Sequence, residues 1–283
     1  MRTRTNKART GNKARSKELI HIGTSGWSYK SWEKTFYPAD IPRRWHFEFY
    51  ATQFPTVEIN LTFYRLPSPD TVRGWRDRAP NGFQYAVKGS RFITHMKKLA
   101  HIEDALDKFF ERIKLLKQQL GPILWQLPRG LKKDAARLDN FLRQLPRGYR
   151  YAVEFRHPSW LDNDIFQLLR KRGVALVSVS SDAMPMNLTV TTDFIYIRFH
   201  GLSGGAAHDY TRTELEPWAA HIRAQRGKEV FAYFNNDVNT RAPENARLLM
   251  ELVSSGQEDA KIFPAKLPMV PGQSGPATKL KFA

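Results

Sequence analysis

FIYIRFH, residues 194–200, is the stretch whose reading decides the fold. Ile195, Ile197 and Phe199 alternate with Tyr196, Arg198 and His200. In a strand, alternate residues point to opposite faces. One face of this strand is therefore apolar, and the other turns charged towards its C-terminal end. The pattern recurs outward along the chain. Val57, Ile59 and Leu61 alternate with Glu58 and Asn60, and Val153 and Phe155 with Glu154 and Arg156. Lys88 follows Tyr85 and Val87, Ser178 and Ser180 lie among Val177 and Val179, and Asn235 stands beside Phe234. Strands with a greasy outer face, and an inner face that turns polar at the C-terminal end, belong in a barrel with a site at its mouth.

Strands are predicted near 19–24, 56–61, 83–88, 122–127, 150–155, 174–179, 194–199 and 229–235. Helical segments are predicted at 43–54, 71–78, 102–120, 134–145, 163–172, 213–226 and 240–254. The clearest period is that of Leu106, Phe109, Phe110, Ile113, Leu116 and Leu120. Only the connection at about 181–193 is too short for a full helix. Eight β units with helices between them predict an α/β fold, a single (β/α)8 TIM-type barrel, over residues 19–263. Residues 1–18 lack apolar periodicity and read as a disordered basic arm. Residues 264–283, rich in Pro and Gly, read as an irregular tail.

The chain of 283 residues has no cysteine, which excludes disulfides, thiolate metal sites and cysteine nucleophiles. It has neither a bilayer-length apolar run nor the apolar core of a secretory signal, so a cytoplasmic protein without a membrane partner is expected. The formal net charge is +18. Seven Lys and Arg against Glu18 give the arm +6, and three Lys give the tail +3, which leaves +9 on the body. That excess favours nucleic acid or another polyanion as partner through counterion release. The competing reading is a solvated basic surface.

The chain also carries GTSGWSYKSW (23–32) with FYP (36–38), EINLTFYRLP (58–67) and FQYAVKGSRFITH (83–95). Further on come WQLP (125–128), EFRHPSW (154–160), YIRFHG (196–201), YFNND (233–237) and ENA (244–246). Together these motifs resemble the DUF72, or YecE-like, family over about residues 20–255. The resemblance implies a TIM barrel and no particular reaction. Neither the arm nor the tail is part of it.

The candidate site follows from the strand ends. Glu154, with His157 and His200, is the candidate for acid/base catalysis. Arg156, Arg198 and Lys88 are candidates to grip phosphate or carboxylate. Asn60, Asn235, Glu58 and Asp182, with Ser25 and Gln126, would orient a polar ligand, and Trp27 and Tyr64 would stack against it. An internal ion-pair network among the same charges is the structural alternative. The Ser203–Gly205 loop could hold phosphate through its amides. Glu58, Glu154, Asp182 and His200 could converge on a divalent metal. No local ligand spacing supports that, and three cations would oppose it, so no metal site or cofactor is assigned. Ser25 lies in no G-x-S-x-G elbow, which speaks against covalent serine catalysis.

The expectation is a barrel that binds or acts on a phosphate-bearing ligand such as a nucleotide or nucleic acid. If it is an enzyme, hydrolase or isomerase-like acid/base chemistry fits. The alternatives are a non-catalytic nucleic-acid-binding protein relying on its basic arm, and an enzyme acting on a sugar or sugar phosphate, with a small phosphorylated metabolite as ligand.

Overall fold

The computed structural model describes residues 20–225 and 227–255. The arm expected at 1–18 and the tail expected at 264–283 lie outside the described residues. The elements in chain order are β1 (Ile20–Ser25), α1 (His46–Gln53), β2 (Thr56–Ile59), α2 (Leu61–Tyr64), α3 (Pro69–Arg78), β3 (Gln84–Lys88), α4 (Glu103–Ile113) and β4 (Leu120–Gln126). They continue with α5 (Ala135–Gln144), β5 (Tyr151–Glu154), α6 (Asn163–Arg172), β6 (Val174–Ser181), β7 (Phe194–Gly201), α7 (Arg212–Ala224), β8 (Glu229–Phe234) and α8 (Arg241–Ser255). The eight strands close a barrel in sequential order, β1 pairing in parallel with both β2 and β8. This is the (β/α)8 architecture that the strand pattern predicts.

Local chemistry sets the element boundaries. Asp134 caps α5 by accepting the Arg137 N–H, and a capping box between Thr211 and Glu214 starts α7. Gly173, left-handed at φ 65°, ends α6 and turns the chain into β6. The apolar stripe read over 102–120 is α-helical only to Ile113. It then tightens into a 3-10 segment, Lys114–Gln119, containing Lys117 at φ 54°. No helix separates β6 from β7.

Outward-facing strand residues such as Ile22, Val57, Val87, Trp125, Val153, Ile197 and Phe234 pack beneath the helices. The barrel interior has three tiers. At its N-terminal end, His21 stacks on Phe231 at 4.6 Å, and Glu229 pairs with His21 and Arg150. Ala86, Leu124, Ala152, Ala175, Val177, Phe194, Tyr196 and Tyr233 form an apolar plug above it. The charged tier lies at the C-terminal ends of the strands.

The inside-outside assignment of β6 differs from expectation. Val177 registers with Tyr196 and Val179 with Arg198, so the valines face the barrel interior and Ser178 and Ser180 face outward. Tyr210 donates to Ser180 Oγ at 2.8 Å. A small hydroxyl with a partner is tolerated in the helix layer, and the interior beside Tyr196 needs apolar volume. Polarity alone therefore misassigns this strand.

Candidate functional site

The register of the barrel explains why the charges meet. Ser25 pairs with Glu58 across β1–β2, Lys88 with Leu124 across β3–β4, and Gln126 with Glu154 across β4–β5. Paired residues on adjacent strands point to the same side, so Ser25, Glu58, Lys88, Gln126, Glu154 and Arg198 form one inner ring.

Arg198 is its hub. This side chain, Glu58 and Glu154 are all 0% exposed. Arg198 donates through Nη2 to Glu58 Oε1 at 2.7 Å and through Nη1 to Glu154 Oε2 at 2.6 Å. Glu58 also accepts from Ser25 Oγ and Tyr196 Oη, each at 2.7 Å. Glu154 accepts from Gln126 Nε2 at 2.8 Å and from Arg156 Nη1 at 3.0 Å. Burial alone would raise the pKa of both carboxyls, but the guanidinium of Arg198 outweighs it. With help from His200, Glu154 is held well below the usual carboxylate range, and Glu58 is lowered too. A carboxylate so firmly ionised and so fully donated to is an anchor and a poor proton carrier. Arg198 likewise has both terminal nitrogens engaged by carboxylates.

His200 completes the tier. Its Nε2 lies 3.0 Å from Glu154 Oε1, and its Nδ1 lies 3.2 Å from Asn235 Nδ2. Nε2 also lies 3.2 Å from Arg198 Nη1 and 3.3 Å from Arg156 Nη1. Its shortest contact is the ionised carboxylate, which places the ring proton on Nε2 and leaves Nδ1 to accept from the Asn235 amide. Burial lowers the His200 pKa, consistent with this neutral tautomer.

Two cations face the opening. Arg156, with its side chain 12% exposed, bonds to Glu154 through Nη1 only, and its Nε is buried with no acceptor among the described residues. Lys88 Nζ sits 4.2 Å from the centroid of the Phe63 ring and makes no hydrogen bond or ion pair among the described residues. Burial, followed by the proximity of Arg198, brings its pKa down to about 8. With Glu58 and Glu154 balanced by Arg198 and Arg156, and His200 neutral, Lys88 leaves the tier with a net charge of +1.

The other predicted residues are placed as follows. Asn60 follows β2 with Oδ1 buried and unpartnered among the described residues. Tyr64 is 67% exposed on α2, edge-on to Phe63, which carries Lys88 on its face. Trp27 packs edge-on to Phe47 and Trp75, between barrel and helices. His157 is turned away into a cap, its Nδ1 accepting the Ser159 N–H and meeting Ser159 Oγ at 2.8 Å. Asp182 is exposed beyond β6 and has no hydrogen bond or ion pair among the described residues. The structure thus does not bring Glu58, Glu154, Asp182 and His200 together as a ligand set, and no group of three or more potential metal ligands converges among the described residues. In the Ser203–Gly205 region, the amides of Gly205, Ala207 and His208 donate to carbonyls of the same loop. Those three are closed to an anion.

Two residues at the mouth, His95 and Asp237, escaped the sequence reading. His95, in a π-helical turn at Phe92–Met96, packs edge-on to Phe63 at 5.0 Å, and burial, then Lys88, lowers its pKa. Asp237, after β8, accepts from Trp32 Nε1 at 2.5 Å, and burial raises its pKa to about 6. Tyr29 donates to the Ser25 carbonyl, with the Asp237 and Glu58 charges nearby. His95 and Asp237 stand in the quoted stretches FQYAVKGSRFITH and YFNND, each following a strand. That position was the available signal.

Comparison with known proteins settles the ancestry. The family model described as "Protein of unknown function DUF72" matches residues 21–270. The chain belongs to the DUF72 family. The match includes residues 264–270, which the sequence reading had assigned to the tail. The chain is 31% identical over 169 residues to the UPF0759 protein YecE of Escherichia coli, covering 58% of this chain and 60% of YecE. The aligned part thus spans less than two thirds of that relative. It is 24% identical over 270 residues to the UPF0759 protein YunF of Bacillus subtilis, covering 83% of this chain and 95% of YunF. Among solved structures, a DUF72 family protein from Thermotoga maritima superposes with a TM-score of 0.75 at 28% identity, over 83% of this chain and 99% of that one. One from Enterococcus faecalis gives 0.73 at 20% identity, over 88% of this chain and all of that one, a likeness of fold. No described helix is long and apolar enough to cross a membrane.

Proposed function

We propose that the mouth of this DUF72 barrel binds a phosphate-bearing ligand, such as a nucleotide or the exposed end of a nucleic acid, and acts on it. The observation that supports this reading is the unmatched Lys88 ammonium beside a half-free Arg156. Both buried carboxylates that could neutralise Lys88 are engaged by Arg198. A buried or half-buried cation without a counter-charge is costly, and an incoming anion relieves that cost. Arg156 and Lys88 are then the ligand-binding cations, while Arg198 and Glu154 hold Arg156 and His200 in place. Asn60 and Asn235 offer neutral polar contacts. The exposed Tyr64 ring beside Phe63 suits a flat base or sugar face. If the ligand is turned over, Asp237, its pKa raised to about 6, is better suited than Glu154 to exchange protons near neutral pH. His95, biased to its neutral form by burial, is available as a base.

The test is thermal unfolding of the full chain with nucleoside monophosphates, pyrophosphate and short single-stranded oligonucleotides, for wild type and Arg156→Ala. At a hundredfold excess over Kd, a ligand stabilises by about 2.7 kcal/mol, or about 5–10 °C for a domain of this size. The proposal expects such a rise with at least one phosphate compound, and its loss in Arg156→Ala. A rise that survives Arg156→Ala would move the binding to the basic surface. No rise with any of them would refute the reading.

A further inference from the structure

Lys88 has the surroundings of a reactive amine. It ends β3 on the inner face of the barrel, where a lysine serving only the fold would be paired with Glu58 or Glu154. Both carboxylates instead bond to Arg198, and Lys88 Nζ rests on the face of Phe63. Burial and then the Arg198 charge lower its pKa, against an opposing pull from Glu58 and Glu154 and with a smaller push from Arg156. His95, held by Thr94 Oγ1 at its Nδ1, packs against the same Phe63 ring and is biased to the neutral form. An aromatic wall, neighbouring cations and no carboxylate partner are the conditions under which a lysine loses its proton easily and becomes a nucleophile. With a pKa of about 8, about a tenth of Lys88 is unprotonated at pH 7, against about one in three thousand for an ordinary lysine.

We propose that Lys88 is a nucleophilic amine that forms an imine with an aldehyde or ketone whose anionic group is held by Arg156. The proposal rests on the anion-binding reading of the mouth and narrows its ligand to a carbonyl compound carrying a phosphate. The lone pair of neutral Nζ attacks the carbonyl carbon, and the carbonyl oxygen takes up a proton as the nitrogen releases one. The resulting carbinolamine gains a proton on its hydroxyl and loses water, as the nitrogen gives up its second proton. Overall, Lys–NH₂ and O=C become Lys–N=C and H₂O, with no change of oxidation state. In this scheme His95, which packs against the same Phe63 ring as Lys88, takes the proton from nitrogen and returns it to the departing hydroxyl.

The experiment is reductive trapping of the full-length wild-type protein with cyanoborohydride, using glycolaldehyde phosphate and its neutral counterpart glycolaldehyde. Peptide mass spectrometry locates the modified lysines. The proposal expects Lys88 to be alkylated ahead of exposed lysines such as Lys97, with a rate rising through a midpoint near pH 8. It expects a preference for the phosphate compound of about tenfold, the factor one charge-assisted hydrogen bond provides. Inorganic phosphate and Arg156→Ala should each remove that preference. Alkylation of Lys88 no faster than of Lys97 by either aldehyde would overturn the proposal, even if phosphate still stabilised the protein through Arg156. Rapid alkylation of Lys88 by both aldehydes alike, unprotected by phosphate, would uphold the amine and sink the anion-binding reading.

Discussion

Glu154→Gln probes the centre of the structure. The substitution keeps the shape of the side chain and removes its charge. In the native tier this carboxylate receives Arg198 at 2.6 Å, Gln126 at 2.8 Å, and Arg156 and His200 at 3.0 Å, with no exposure to solvent. The glutamine would present an amide N–H₂ to at least one of these donors, and Arg198 and Arg156 would share only Glu58 as counter-ion. Removing one partner from a buried ion pair costs about 3–5 kcal/mol. At about 2–4 °C per kcal/mol for a domain of this size, the midpoint should fall by about 6–20 °C. Thermal unfolding followed by circular dichroism at pH 7 reads this directly. A midpoint within about 2 °C of wild type would show that the charge is not needed, and would refute Glu154 as the anchor of the tier.

The remaining predictions concern pH, space and charge. Because the pKa values of Glu58 and Glu154 are lowered on folding, their stabilisation is present above the unfolded value of 4.5 and is lost as pH falls through the lower folded values. Urea midpoints should therefore drop on acidification below that value, and drop less in a Glu58→Gln variant that still folds. Gly89→Ala would bring its Cβ to 2.2 Å from the fully buried Trp125 ring, next to Lys88. A loss of about 1–3 kcal/mol from overpacking is expected in urea denaturation, together with weakened anion binding. Anion affinity should decline as pH rises past about 8, where Lys88 loses its charge, and titration calorimetry across that range checks it. Removal of residues 1–18 should weaken oligonucleotide binding and flatten its salt dependence while leaving mononucleotide affinity unchanged.

Much of this molecule is readable from residue parity. Glu58, Lys88, Glu154, Arg198 and His200 each occupy the inner face that alternation assigns them. The barrel follows, because eight such strands with helices between them have few other ways to bury their outer faces. Parity fails on β6, where serine and valine are both small enough for either side and a distant Tyr210 decides. The partners are not readable at all. Arg198 meets Glu58 across 140 residues of sequence, a contact that only closure of the barrel creates. Roles depend on those partners. The same Arg198 and Glu154 that read as phosphate grip and proton carrier are bound to each other, and the open positions fall to Arg156 and Lys88. His95, in a short helical turn, and Asp237 both follow strand ends, but neither pattern nor propensity marks which side chain after a strand faces the mouth.

The most direct test of the account is the crystal structure of the protein soaked with pyrophosphate. The account predicts the anion at the C-terminal mouth, with phosphate oxygens within hydrogen-bonding distance of the Arg156 guanidinium and of Lys88 Nζ, and with the Arg198–Glu58–Glu154 bridge intact. Pyrophosphate bound only to surface arginines or at the Ser203–Gly205 loop, with the mouth left to solvent, would contradict it.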